Sequence, residues 1–556
     1  GNIGDYSEDT YGVLQMPEDY KADTPYAATE AYVAITNYNT LMMDTKIAEK
    51  LVDGEDDKYA YRCDKTDGSG AVMGIWTKDQ TDVISFKSSA KELTVYDMYG
   101  NAEKVYGKNG VYSFVVSGEP QYVEGDLSDV EMCDNPIEFT GYADETAKGS
   151  VVTVSVAKAP AGLTIEAEDA FGTEYVSGAG EINEKTRVKV KMPDSADMWP
   201  EYKLPDEKEG FLTEIKLRVK DGDKTAYVYR IPIRVTEALT MDISTRPKSL
   251  RDTSHWTVRA EVTNMRTGVP ITGEVTLTEP SDWKQTKAFD TIPELSTGVV
   301  EFESGNVPRL NTKYVAYTVK TDQGDEYEFA KSVDFSVAAL RDKKDAPTID
   351  GNLEDGEWFK ATAMAADTEE QWYRMKSAKN SDWNGTDDLS GLIMLQCDED
   401  NLYLGADVID DEHSTPAVGE QIWRNDSIQF GIAFTVKDAQ VFYGGDFTEI
   451  AISDTSEGPT VYRHVSEENR KPVGKVDTAK LAVKREGNHT YYELMIPWNE
   501  ITAEPISADI LDRIGFSMLI NDNDKGERKG AMTYGGGIVS LKDSGQFKFL
   551  NVIKAD

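Results

Sequence analysis

Apolar and polar residues alternate along most of this chain. Residues 71–76, 82–86, 93–96 and 111–116 follow a period of two, as half-buried strands do. So do residues 151–156, 187–191, 215–219 and 226–231, and then 256–262, 273–277 and 313–319. Turn-forming runs such as Tyr99-Gly100-Asn101 separate them. Short strands at this spacing predict antiparallel sandwiches. One segment follows a different period. Ala28, Ala31, Tyr32, Ile35, Tyr38, Leu41 and Met42 recur at helical spacing behind Thr24-Pro25, a cap and a first-turn proline. Its apolar stripe is expected to pack on the sandwich that follows. The predicted fold class is mainly β: tandem antiparallel β-sandwiches with one N-terminal helix.

The pattern divides the chain into a helical segment (1–55), a small β-sandwich (56–125) and two immunoglobulin-like sandwiches (126–237 and 238–340). The charged run Arg341-Asp-Lys-Lys-Asp-Ala-Pro347 breaks the alternation and reads as a linker, 341–347, before a final sandwich at 348–556.

Composition narrows the partners. The chain has 59 basic and 100 acidic residues among 556, a net charge of −41. Such a surface repels phosphate backbones and anionic lipid heads, which disfavours nucleic acid and membranes and suits a neutral glycan. Solubility alone explains the charge equally well. Cys63, Cys133 and Cys397 lie far apart without CxxC spacing, so at most one disulfide could form and a zinc or redox centre is not expected. Neither a Ser-His-Asp order, a phosphate loop nor HExxH is present, and carboxylate pairs are too common here to mark a catalytic site. No catalytic residues are assigned.

The final segment carries a series of ordered motifs. They are PTIDGNLEDGEW at 347–358, NGTDDLS at 384–390, DEDNLYL and VIDD within 398–411, IWRNDSIQ at 422–429, IPW at 496–498 and INDND at 520–524. In order and spacing they resemble the family-9 carbohydrate-binding modules over about 346–554. The resemblance implies a glycan-binding sandwich, and Trp423 as the ring that stacks on the sugar. The chemistry agrees, because an aromatic face meets a pyranose C–H face while paired donors and acceptors meet its hydroxyls. Trp423 stands at the entry of a strand beside Arg424, Asn425 and Asp426; the alternative is that it fills the core. Gln429 stands where the family has an acidic residue, and an amide can still serve hydroxyls. The family's second tryptophan falls near Ser540-Leu541-Lys542, where this chain has none. Tyr534, before three glycines, is a candidate second aromatic face or else a core tyrosine. Asn521 and Arg528 are candidate hydroxyl partners, or ordinary turn and surface residues. Trp383, in a loop, is a further candidate, whereas Trp358 and Trp498 read as core.

Acidic loops at Asp387-Asp388, Asp410-Asp411-Glu412 and Asp522-Asn523-Asp524 supply oxygen ligands of the kind calcium takes. Asp410, Asp411, Asp522 and Asp524 are therefore candidate calcium ligands, without EF-hand spacing and with solvated carboxylates as the alternative. Structural calcium also occurs in modules of the resembled family.

A shorter resemblance covers about 6–125. YGVL at 11–14, TPY at 24–26 and the helix through Asn37 and Asn39 are similar to the last helix of a glycoside-hydrolase (β/α)8 barrel. LTVYDMYGN at 93–101 and GEPQYV at 118–123 are similar to the sandwich that follows such barrels. The catalytic carboxylates of a barrel lie on earlier strands. The leading expectation is a non-catalytic, glycan-binding C-terminal portion of a large secreted glycoside hydrolase, extracellular or at the cell surface. Its partners would be a polysaccharide and an upstream catalytic domain of the same polypeptide. The alternatives are a structural cell-surface protein of tandem sandwiches and a haem-binding redox module using His413, His464 or His489 with Met394 or Met495.

Overall fold

The alternation does build sheets. A computed structural model describes residues 14–15, 27–28 and 30–555, apart from 79, 171, 184, 195–209, 308–311, 377, 379–380, 435–445, 504–505, 508–510, 512–513 and 540–541. The strands pair mostly antiparallel in facing sheets, a mainly β fold of tandem sandwiches. The chain forms two compact units. One contains residues 1–240, 263–271 and 291–297; the other contains 241–262, 272–290 and 298–556.

In the first unit, a six-stranded sheet (order Thr45–Asp53, Lys58–Lys65, Ala71–Thr77, Gln121–Gly125, Leu93–Tyr96, Ala102–Val105) faces a three-stranded one. Met73, Ile75, Ile84, Phe86, Phe114 and Val123 fill the space between them. A second pair, of four and five strands, encloses Val152, Val154, Ile165, Val188, Leu217 and Tyr229. A knot of charge runs along this unit: Arg218 is paired with Glu103 and Glu168, Arg230 with Glu103 and Glu214, and Lys216 with Glu103 and Glu168.

The helix is Glu30–Met42, and Ala28 lies instead in the short strand Ala27–Ala28. Thr24 and Pro25 lie outside the described residues. The helix docks by a polar contact that its apolar stripe does not reveal: the Asn37 amide donates to the carbonyls of Asp97 and Met98 at 3.1 Å. Tyr38 meets Tyr122, with ring centroids 6.3 Å apart. The expected stripe is largely uncovered, with Ile35 50% exposed and Tyr32 and Tyr38 also exposed.

In the second unit, a three-stranded and a four-stranded sheet precede the final sandwich. Trp256 and Trp283 close on Phe335, at 4.9 and 5.9 Å. The final sandwich is larger. Its first sheet runs Lys480–Glu486, His489–Pro497, Asn401–Asp410, Leu389–Cys397, Val337–Leu340, Asn551–Lys554. Its second runs Trp372–Arg374, Glu527–Tyr534, Gly515–Asp524, Ser427–Ala433, Thr448–Thr455, Gly458–Val465, Gly474–Lys475. Ile393, Leu404, Phe430, Ile452, Leu494, Phe516 and Met518 form the core between them. Trp358 and Trp498 are buried, as read; Trp358 seats against Gly405, where a Cβ would come within 2.8 Å of its ring.

One boundary moves. Val337–Leu340 pairs in parallel with both Leu389–Cys397 and Asn551–Lys554, so it is a strand of the final sandwich. Nor is the charged run after it a free linker. Lys343–Asp345 forms a 3-10 turn, and Arg341 donates to the Asp345 carbonyl at 2.6 Å while its guanidinium lies 4.8 Å from the Phe359 ring. The charge signals a surface turn, and composition alone does not separate that from a spacer. All three cysteines are unpaired.

Candidate functional site

The strand Ser427–Ala433 lies inside the second sheet of the final sandwich, and its alternation sorts two faces. Ile428, Phe430 and Ile432 enter the core. Ser427 and Gln429 belong to the other face. Pairing carries this sorting sideways: Gln429 lies opposite Leu519 and Ala451, and Ser427 opposite Asn521. A 3-10 turn, Gly419–Arg424, delivers Trp423 to the strand's entry. Its ring is half-buried and outside the core cluster. The guanidinium carbons of Arg528 and Arg424 lie 5.3 and 5.7 Å from the ring centroid, within cation–π range.

Behind the indole runs a connected polar line. Arg528 donates through Nη2 to Asn521 Oδ1. Asn521 Nδ2 donates to Ser427 Oγ at 2.9 Å and to Gln429 Oε1 at 3.0 Å. Gln429 Nε2 donates to Glu449 Oε1 at 3.0 Å, and Lys542 Nζ donates to Glu449 Oε2. Burial raises the Glu449 carboxyl, and the Lys542 charge opposes that rise. Further along the sheet, Tyr462 pairs with Ala451 and its ring lies 5.0 Å from that of His464. Burial, helped by Lys542, holds His464 down at about 4, so the ring is neutral near pH 7; its Nε2 is buried with no hydrogen-bond partner among the described residues.

The seven residues read as sugar contacts therefore separate. Trp423, Arg424 and Arg528 come together at the rim. Gln429 and Asn521 are on the same face but buried, and every polar atom of the Asn521 side chain is engaged, so both position the rim rather than present free groups to solvent. Tyr534 is 1% exposed and cannot offer an aromatic face. Its register explains this: it pairs with Met518, which pairs with Phe430, and all three are on the core side. Its hydroxyl shares a hydrogen bond with Ser336. Trp383 packs partly against the core and donates from Nε1 to the Leu389 carbonyl at 2.8 Å, which fixes it as a loop anchor. Ser540 and Leu541 lie outside the described residues. The sequence reading missed Glu449, Lys542 and Tyr462, and named His464 only for the haem alternative. Glu449 had a signal: it is an acidic residue directly before the apolar run Ile450-Ala451-Ile452 of the strand Thr448–Thr455.

The acidic loops come within electrostatic reach of one another, Asp522 with Asp524, Asp388 and Asp410, and Asp411 with Asp388, Asp524 and Asp410, and they make closer contacts in two groups. In the first, ligand atoms of Asp410, His413 and Asp426 lie within 4.8 Å of one another. Burial and the Asp410 charge push the Asp426 carboxyl well up. In the second, the Lys529 ammonium reaches Asp388 at 2.6 Å, Asp524 at 3.3 Å and Asp522 at 3.5 Å. Burial pushes Asp522 up to about 8 despite that lysine. Asp411 is exposed and takes part in neither ion pair. Asp410 Oδ2, both Asp522 oxygens and Asp524 Oδ1 are buried without a hydrogen-bond partner among the described residues. Oxygen atoms left in that state fit a hard cation.

The haem alternative loses its ligand pair. Met394 packs with Trp358 and Tyr403, with Met495 against them. His413 is beside Asp410, His464 beside Tyr462, and His489 Nδ1 lies 2.7 Å from Asp407. None of these contacts among the described residues joins one of the named methionines to one of the named histidines.

The final domain is thus a two-sheet sandwich with an aromatic and two arginines at one rim. Residues 349–536 match the family model described as carbohydrate family 9 binding domain-like, so the final sandwich is a domain of that family. Among solved structures, the chain is similar to a family-9 carbohydrate-binding module from Caldicellulosiruptor kristjanssonii in complex with glucose. Identity is 13% and the TM-score 0.28, covering 40% of this chain and 97% of that one. The same module in complex with cellotriose gives the same identity and score over 40% and 95%. No curated protein matches the chain.

Proposed function

We propose that this chain binds carbohydrate at the Trp423 rim of its final sandwich, as the non-catalytic part of a larger secreted glycoside hydrolase. The observation that carries the reading is the half-exposed indole at a strand entry, flanked by Arg424 and by Arg528, which a polar line anchors. Stacking supplies the apolar contact, and Arg528 and Arg424 supply donors for ring oxygens. Tethering by such a domain would keep a catalytic domain of the same polypeptide, outside the cell or on its surface, at high local concentration over a polysaccharide. A structural calcium or similar cation at the Asp410–Asp426 group accompanies this reading, supported by the buried Asp410 Oδ2, which has no hydrogen-bond partner among the described residues.

Affinity electrophoresis of the full chain through gels containing soluble polysaccharides tests binding. Retardation is expected on at least one of them and is expected to be lost in Trp423→Ala. Retardation that survives Trp423→Ala unchanged would place the site elsewhere.

A further inference from the structure

A guanidinium removed from water is costly unless a counter-charge meets it. The chain observes this rule in most of its interior. Arg218 and Arg230 have glutamates, and Arg463 has Glu500. Arg528 does not. It is half-buried, and among the described residues its Nε is buried with no hydrogen-bond partner and its Nη1 meets the Met375 sulfur alone, at 3.6 Å. Among the described residues no carboxylate lies within ion-pair distance of it or of Arg424. Burial without a counter-charge pulls Arg528 down to about 10, so it stays protonated at neutral pH.

The acids of the neighbourhood are already occupied. Glu449 is bound by Lys542 and Gln429. Asp426 accepts from the backbone amides of Ser414 and Asn523. A chain with a net charge of −41 therefore places two guanidiniums without counter-charge over one indole. A neutral hexose leaves that charge uncompensated. A planar carboxylate on the sugar compensates it and matches the fork of a guanidinium. The distant acidic surface opposes such a ligand weakly, because charges are screened beyond about 8 Å at physiological salt.

We infer that the Trp423 rim selects an acidic sugar: a hexuronate whose ring meets the indole and whose carboxylate pairs with Arg528 and Arg424. This rests on the carbohydrate-binding reading given above and adds the ligand class to it. It also reverses the expectation, drawn from net charge, of a neutral glycan.

Calorimetric titration of the full chain with methyl glucuronide, methyl galacturonide, methyl glucoside and a sulfated monosaccharide tests it. One uronide is expected to bind at least tenfold tighter than the glucoside. Arg528→Gln is expected to remove about tenfold of uronide affinity and Arg424→Gln about threefold, each a larger loss than the same variant causes for the glucoside, so that the uronide-to-glucoside ratio falls. Each tenfold corresponds to about 1.4 kcal/mol, the scale of one charge-assisted hydrogen bond. Arg424 is exposed, so its variant reports on charge even if Arg528→Gln perturbs folding. Equal binding of uronide and glucoside, unchanged ratios in both arginine variants, or preference for the sulfated sugar overturns the uronate assignment while leaving the sugar site intact. Failure of every sugar to bind, with no polysaccharide retardation either, removes the site itself.

Discussion

Arg528 and Lys529 are neighbours on one strand, yet they serve two opposite regions. Lys529 turns into the sandwich, where three aspartates surround its ammonium. Arg528 turns outward to Trp423 and Asn521, and among the described residues no carboxylate pairs with it. Burial acts against both cations, but the aspartates raise Lys529 above the usual lysine value and nothing comparable raises Arg528. One cation is spent on structure. The other is left with capacity for a ligand.

Substitution should break this contrast most strongly at Lys529. Lys529→Met leaves Asp388, Asp522 and Asp524 without their ammonium, and removing one member of a buried ionic group costs about 3–5 kcal/mol. Denaturant unfolding of the final sandwich should show that loss, and Arg528→Gln should cost under about 1 kcal/mol by the same measurement. Equal losses at the two positions would mean that Arg528 is structural as well.

A divalent cation gives the next effect. Calcium at a hundred times its dissociation constant adds about 2.7 kcal/mol. The unfolding temperature should therefore rise with added calcium and fall with chelator, and Asp410→Asn should abolish the response. An unchanged temperature in all three conditions removes the cation from the account.

The pH profile separates the regions further. Asp522 is raised from 3.8 to about 8, so its contribution is fully present below pH 3.8 and is lost as pH rises through 8. His464 is lowered from 6.5 to about 4, so its contribution is present above pH 6.5 and lost as pH falls through 4. Asp522→Asn should flatten the alkaline limb of the final sandwich, and His464→Gln the acidic limb. In the first unit, Arg218 holds Glu168 down at about 2, so that unit's contribution is present above pH 4.5 and lost towards pH 2. The smallest effect is expected at Lys104, whose pair with Glu92 is exposed: Lys104→Ala should leave the unfolding temperature unmoved.

Much of this was legible because period two is a local property. It identified the strands and marked the entry of one by a tryptophan beside polar residues. Sidedness was less legible. Tyr534 resembles a rim aromatic until its pairing with Met518 turns it inward. The surroundings of Gln429 were hidden for a related reason: Glu449, which accepts from it, is 20 residues away, and Lys542, which donates to Glu449, is 93 residues beyond that. The helix was misjudged at its start and on its contact face, because Asn37, a polar residue, makes the docking bonds.

The parallel strand Val337–Leu340 has a practical outcome for anyone cutting the protein apart. It fills the gap between Leu389–Cys397 and Asn551–Lys554. A fragment starting at the charged run would expose two strand margins, each with unused amides and carbonyls, and such margins recruit other molecules. An excised final sandwich should begin upstream of Val337 if it is to stay monomeric.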